Sequence, residues 1–166
     1  MTTYGAEVDH ARALAATGRE AEAAEVLDRV LRDVPEHPGA LLARAALYAE
    51  DREWETALQL CRRAVLAAPR SAEAVNTLAR CLHALGRDDE ALEHAQEARR
   101  LLPEGDNFVQ TAAVYLTLLW CLREKRRYRE AIALAEEGLE RMPDGVLAEW
   151  ARQIEDDLVE AEKDEC

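Results

Sequence analysis

Apolar residues recur along the chain at helical spacing. Residues 72–105 read AEAVNTLARCLHALGRDDEALEHAQEARRLLPEG. Val75, Leu78, Ala79 and Leu82 fall at i, i+3, i+4 and i+7, so they share one face of a helix. A second stripe of Ala91, Leu92, Ala95, Ala98, Leu101 and Leu102 runs on to Pro103. Gly86 between them suits a helix exit, where positive φ is often needed. Asp88 and Asp89 suit the start of the next helix, where free N–H groups and the dipole favour acids. The pattern predicts a helical hairpin of 34 residues, with small residues along a seam where two backbones approach closely.

The unit repeats. Pro35, Pro69 and Pro103 lie 34 residues apart, as do Ala23, Ala57 and Ala91, and Ala11, Ala45 and Ala79. Leu14, Tyr48 and Leu82 form another column, and Gly18 and Gly86 match with Arg52 between them. On these columns the chain resembles the tetratricopeptide repeat family, whose period is 34 residues. One departure is that no unit opens with Trp; Glu7, Leu41, Val75 and Tyr115 stand in that column. The resemblance implies an all-α superhelix, a solenoid of four antiparallel hairpins closed by a C-terminal capping helix.

The units are expected at about 4–37, 38–71, 72–105 and 112–145. The most polar first helix, with Glu7, Asp9 and His10, belongs to the first unit, which suits an end that faces water. Glu50-Asp51-Arg52-Glu53 replaces glycine at the second turn, so a helical or type I turn is expected there rather than a left-handed one. Pro143 follows Pro103 by 40 residues, which places an insertion near 106–111. Asp106 or Asn107 can cap a helix there, so the fourth unit's first helix is predicted to start near Asn107 and run one to two turns longer than the others, with Phe108 at its lip. A longer loop is the alternative. From about 146 to 163, Leu147, Trp150, Ala151, Ile154 and Leu158 make one apolar stripe, suited to covering the last hairpin, with Trp150 in the core.

Composition sharpens this picture. Hydrophobic residues are 49% of the chain but aromatics only 5%, so Ala and Leu supply the apolar mass, as helix-on-helix packing requires. No apolar run approaches the ~20 residues of a membrane span. The N-terminal MTTYGAE carries no basic or apolar run of a secretory signal, and a cytoplasmic location is expected. The net charge of −13 repels phosphate backbones and anionic lipid, which argues against nucleic-acid and membrane partners. From Val146 onward eight acids face two bases, so nearly half of that charge lies in the last helix and tail. Cys61 sits in a column that Leu27 and Ala95 fill elsewhere, Cys81 and Cys121 share a column of small residues, and all three read as buried hydrophobes in a reducing compartment, with Cys166 a tail thiol.

No catalytic constellation emerges. His10, His37, His83 and His94 lie in separate elements, and Cys81 and His83 are two apart on a helix, on different faces. There is no HExxH, GxSxG or Gly-rich phosphate loop, so no enzyme activity, cofactor or metal is expected.

Function is then expected on the surface. In the family this chain resembles, the first helix of each hairpin lines a concave groove that takes a peptide or partner helix. Projected onto this sequence, the groove comprises Val8, Arg12 and Ala16; Leu42, Ala46 and Ala49; Asn76, Arg80 and His83; and Leu116, Trp120 and Arg123. Arg12, Arg80 and Arg123 would form a row of guanidinium groups beside Trp120, suited to a partner segment with acids and an apolar anchor. Alternatively these arginines pair with acids on neighbouring helices, such as Asp9 or Glu73, and Trp120 fills the junction. The carboxylate-clamp positions of the co-chaperone members match Val8, Arg12, Ala43, Glu73 and Thr77, a set unfit to hold a chaperone tail. Two functions stay open: an adaptor that binds a peptide or partner in the groove, or a scaffold that assembles with itself into a homo-oligomer.

Overall fold

The computed structural model describes residues 4–102, 108–141 and 146–164. Among them there are nine helices and no strand. They are α1 (Gly5–Ala16), α2 (Glu20–Asp33), α3 (Pro38–Glu50), α4 (Trp54–Ala67), α5 (Ala72–Ala84), α6 (Asp88–Arg100), α7 (Phe108–Glu124), α8 (Tyr128–Arg141) and α9 (Val146–Asp164). The capping role of Asp106 or Asn107 and the side-chain placement of Phe108 lie outside the described residues. The helix that Phe108 opens spans 17 residues, against 12 for α1 and 13 each for α3 and α5.

Local chemistry sets the helix ends. Val34 and Ala68 take extended ψ values of 85° and 72°, as residues before proline must, because the Pro ring clashes with a helical predecessor. His37 Nδ1 and Ser71 Oγ accept the Ala40 and Ala74 amides at 3.2 Å each, capping α3 and α5. At the hairpin turns an arginine precedes the second helix and folds over its first turn. Arg19, Arg87 and Arg127 each grip the carboxylate three residues on, Glu22, Glu90 and Glu130, through two N–H donors.

The second turn departs from expectation. Arg52 has φ 60°, in the left-handed region that Gly18 (76°) and Gly86 (72°) also occupy. The Glu53 amide donates to Tyr48 O at 2.8 Å, as Arg19 does to Leu14 O and Arg87 to Leu82 O. This six-residue closure needs a left-handed residue at its centre. Packing of α3 on α4 enforces it although Arg52 has a Cβ. Arg126, at φ 54°, repeats the device in the fourth hairpin.

The seam columns are the core. Ala23, Ala57, Ala91 and Ala131 are fully buried, and so are Val30, Ala64 and Ala98 in a second column. Gly138 completes that second column, because a Cβ there would lie 2.6 Å from Leu147 Cδ1 and 2.9 Å from Tyr115 Cδ1. One cluster joins α3–α9; a smaller one holds the first hairpin against Ala40, Ala43 and Leu47 of α3.

Consecutive helices pair as hairpins, α1–α2, α3–α4, α5–α6 and α7–α8, with α9 packed on α8. In addition α1, α3, α5, α7 and α9 each touch the next of that series, whereas among the described residues α2, α4, α6 and α8 make no such contacts with one another. Helices that converge lie inside a bend and helices that splay lie outside it. The odd-numbered helices therefore form the concave wall.

Candidate functional site

A cleft of about 560 Å³ opens on that wall across the first three hairpins. Its floor is apolar and small: Ala11 and Ala15 from α1, and Leu42, Ala43, Ala46 and Leu47 from α3. The polar lining comes from Arg12, Glu20 and Glu50, and from Glu73, Thr77 and Arg80, one turn apart along α5. Small residues are what open it. Ala46 stands in the column that Arg12 and Arg80 occupy one repeat away on either side, so the wall is low in the middle with an arginine at each end.

The two arginines differ in state. Arg12 Nη2 donates to Glu73 Oε1 at 2.9 Å, bridging the first hairpin to the third over α3. Arg80 is exposed and has no hydrogen-bond or ion-pair partner among the described residues. Thr77 Oγ1 is turned onto its own helix, donating to Glu73 O at 2.8 Å.

The sequence-predicted groove residues separate into three groups. Arg12, Leu42, Ala46 and Arg80 line the cleft. Val8 and Asn76 are buried, 4% and 5% exposed, and Leu116 packs against the main core. Asn76 Oδ1 has no partner among the described residues. His83, Trp120 and Arg123 are drawn together with α9. The His83 ring stacks on Trp120 with centroids 6.4 Å apart and planes 16° apart, and Trp150 of α9 meets Trp120 edge-on at 6.0 Å. A carboxylate can only accept, so His83 Nδ1 carries the proton it gives to Asp88 Oδ1 at 2.6 Å. Arg123 Nε donates to Asp157 Oδ2, and this hydrogen bond holds the Asp157 carboxyl below the ordinary carboxylate range.

The row of free guanidinium groups is therefore reduced to Arg80 on this wall. Arg12 and Arg123 are neutralised by acids of other helices. The Arg12–Glu73 pairing was foreseeable as one of two alternatives; the Arg123–Asp157 and Trp120–Trp150 contacts were not, because nothing in α9 fixes which inner residue its stripe meets. Among the described residues no three His, Cys, Asp or Glu side chains are grouped to hold a metal ion. No helix among them is long and apolar enough to cross a membrane.

A concave wall of repeated first helices with a small-residue cleft defines a helical-repeat solenoid. The tetratricopeptide repeat model matches residues 70–144, and a model described as anaphase-promoting complex, cyclosome, subunit 3, matches residues 16–98. With these matches and the 34-residue columns, the chain belongs to the tetratricopeptide repeat family.

Solved structures share the fold. The pilF protein of Pseudomonas aeruginosa is 19% identical with a TM-score of 0.80, over 90% of this chain and 66% of its own length. YrrB, described as a TPR protein with an unusual peptide-binding site, is 19% identical with a TM-score of 0.66, over 89% of this chain and 74% of its own. A MamA structure is 21% identical with a TM-score of 0.66, over 95% and 86%. At these identities the likeness speaks for the fold alone. No curated protein matches the chain in sequence.

Proposed function

We propose that this protein is a non-catalytic interaction module that holds a peptide or partner segment in the cleft between α1, α3 and α5. The supporting observation is Arg80, an unpaired guanidinium on the rim of an otherwise small and apolar floor. An extended segment would lay aliphatic side chains on Leu42, Ala43 and Ala46 and bring a carboxylate to Arg80, where two parallel N–H donors favour it over a neutral group. Glu20 and Glu50 on the same lining disfavour a uniformly acidic ligand, so the fitting partner carries one acid beside apolar residues. Of the clamp positions, Arg12, Ala43, Glu73 and Thr77 line this cleft, and their one cation, Arg12, is paired with Glu73, which argues against a chaperone-tail carboxylate there. YrrB lends the reading support as a family member described with a peptide-binding site. The setting we assign is the cytoplasm, where thiols rest in the reduced state and disulfides form transiently.

Selection of a random peptide library against the protein tests this reading. The expected enrichment is for one Asp or Glu spaced from aliphatic residues, lost on Arg80→Glu. Peptides enriched without an acid, or retained equally by Arg80→Glu, would remove Arg80 from the site. Light scattering across concentration separates the alternative of a self-assembling scaffold: a monomer throughout favours the interaction module.

A further inference from the structure

The second and third hairpins meet at two sulfur atoms. Cys61 of α4 and Cys81 of α5 are both buried, and their Sγ atoms lie 3.8 Å apart. We propose that Cys61 and Cys81 form a reversible disulfide that staples the second hairpin to the third beneath the cleft.

The geometry supports this in three ways. Both thiols are free, and they face each other across the junction of α4 and α5. Closing the pair to a ~2.05 Å bond asks the sulfurs to approach by about 1.8 Å in all, shared between two side chains. The junction also separates two repeats, and arrays of this kind open between neighbouring hairpins, which admits a small oxidant.

The two sulfurs are not equivalent. The hydrogen bond between them pushes the Cys61 thiol up, and burial adds to that. The same bond draws the Cys81 thiol down against its burial, helped by the Arg80 guanidinium on the adjacent residue. Cys81 is thus the first nucleophile. With hydrogen peroxide as oxidant, the Cys81 thiolate attacks one oxygen, the O–O bond breaks, and the departing hydroxide takes up the proton that Cys81 released and leaves as water, giving a sulfenic acid. Cys61 sulfur then attacks the Cys81 sulfur, the S–O bond breaks, and the Cys61 proton departs with the hydroxyl as water. Two thiols are oxidised by two electrons and one peroxide is reduced to two waters. A dithiol reductant reverses it.

Cys121, the third buried thiol, serves as an internal control: burial pushes it up to about 12 and it has no sulfur partner among the described residues. The test oxidises the folded full-length chain carrying Cys166→Ser with hydrogen peroxide, then maps thiols and disulfides by mass spectrometry. The expected product has lost two hydrogen atoms, joins the Cys61 and Cys81 peptides, keeps Cys121 as a thiol, and reverts with dithiothreitol. In Cys61→Ala, which removes both the partner sulfur and the hydrogen bond that draws Cys81 down, no internal disulfide is expected and Cys81 stays a thiol. A Cys81–Cys121 bond, dimers in place of an internal bond, or both thiols persisting until the chain unfolds would overturn the proposal.

Discussion

Arg12 and Glu73 are partners across a whole hairpin: the Arg12 Nη2 donor on α1 lies 2.9 Å from Glu73 Oε1 on α5, and the chain between them runs under the bridge as α3. Ala43 and Ala46 of α3 line the same cleft as the pair. The bridge divides the cleft's cationic lining into a committed arginine and an available one.

Removing the acid should release Arg12. Both side chains are more than two-fifths exposed, so the pair itself contributes little to stability, of order 0.2–1 kcal/mol. Glu73→Gln is therefore expected to leave the melting curve nearly unmoved while raising affinity for an acid-bearing peptide several-fold. Anisotropy titration alongside thermal melting checks both halves.

Arg52 is held in a backbone conformation that costs an L-residue about 1 kcal/mol or more. Arg52→Gly is expected to stabilise the protein by ~0.5–1 kcal/mol, net of glycine's greater freedom in the unfolded chain. Arg126→Gly should behave alike. Denaturant titration measures this, and a loss of stability in both variants would count against the left-handed turns.

Asp157 ties α9 to α7 through Arg123. Its folded-state pKa is depressed, so its contribution is present above the unfolded carboxylate range near pH ~4 and fades as pH falls through the lower folded value. Asp157→Asn should therefore be less stable than wild type at neutral pH, by up to about 1 kcal/mol, and equal to it in strong acid. A difference independent of pH would mean that the charge is not involved.

The alanine seam tolerates no added bulk. Ala91 is fully buried between α5 and α6 helices that are in close contact, and Ala91→Arg is expected to cost ~1–3 kcal/mol or more. Gly138→Val meets Tyr115 and Leu147 in the same way. Because hairpins lean on their neighbours, calorimetry of Ala91→Arg should show separately melting parts in place of one transition.

The fold was legible because its determinants repeat. Columns such as Ala23, Ala57, Ala91 and Ala131 encode the seam four times over, and Pro35 and Pro69 mark helix ends by excluding a helical predecessor. Arg52 was misread because the turn type is decided by helix packing, which overrides a residue's own preference. The groove was partly legible. The column of Arg12, Ala46 and Arg80 does line the cleft and so does Leu42, but on α5 the lining residue is Thr77, one residue beyond the projected Asn76. A single residue turns a helix face by ~100°, enough to carry Asn76 into the stack. The C-terminal contacts were illegible because no repeat dictates where α9 sets Trp150 and Asp157.

The most direct measurement compares peptide affinity in wild type, Arg80→Glu and Arg123→Glu, using a peptide with one acid and an aliphatic anchor. The cleft across α1, α3 and α5 predicts at least a roughly tenfold weaker Kd for Arg80→Glu and little change for Arg123→Glu, whose side chain is already engaged by Asp157. Equal affinities for Arg80→Glu and wild type, or a loss confined to Arg123→Glu, would contradict it.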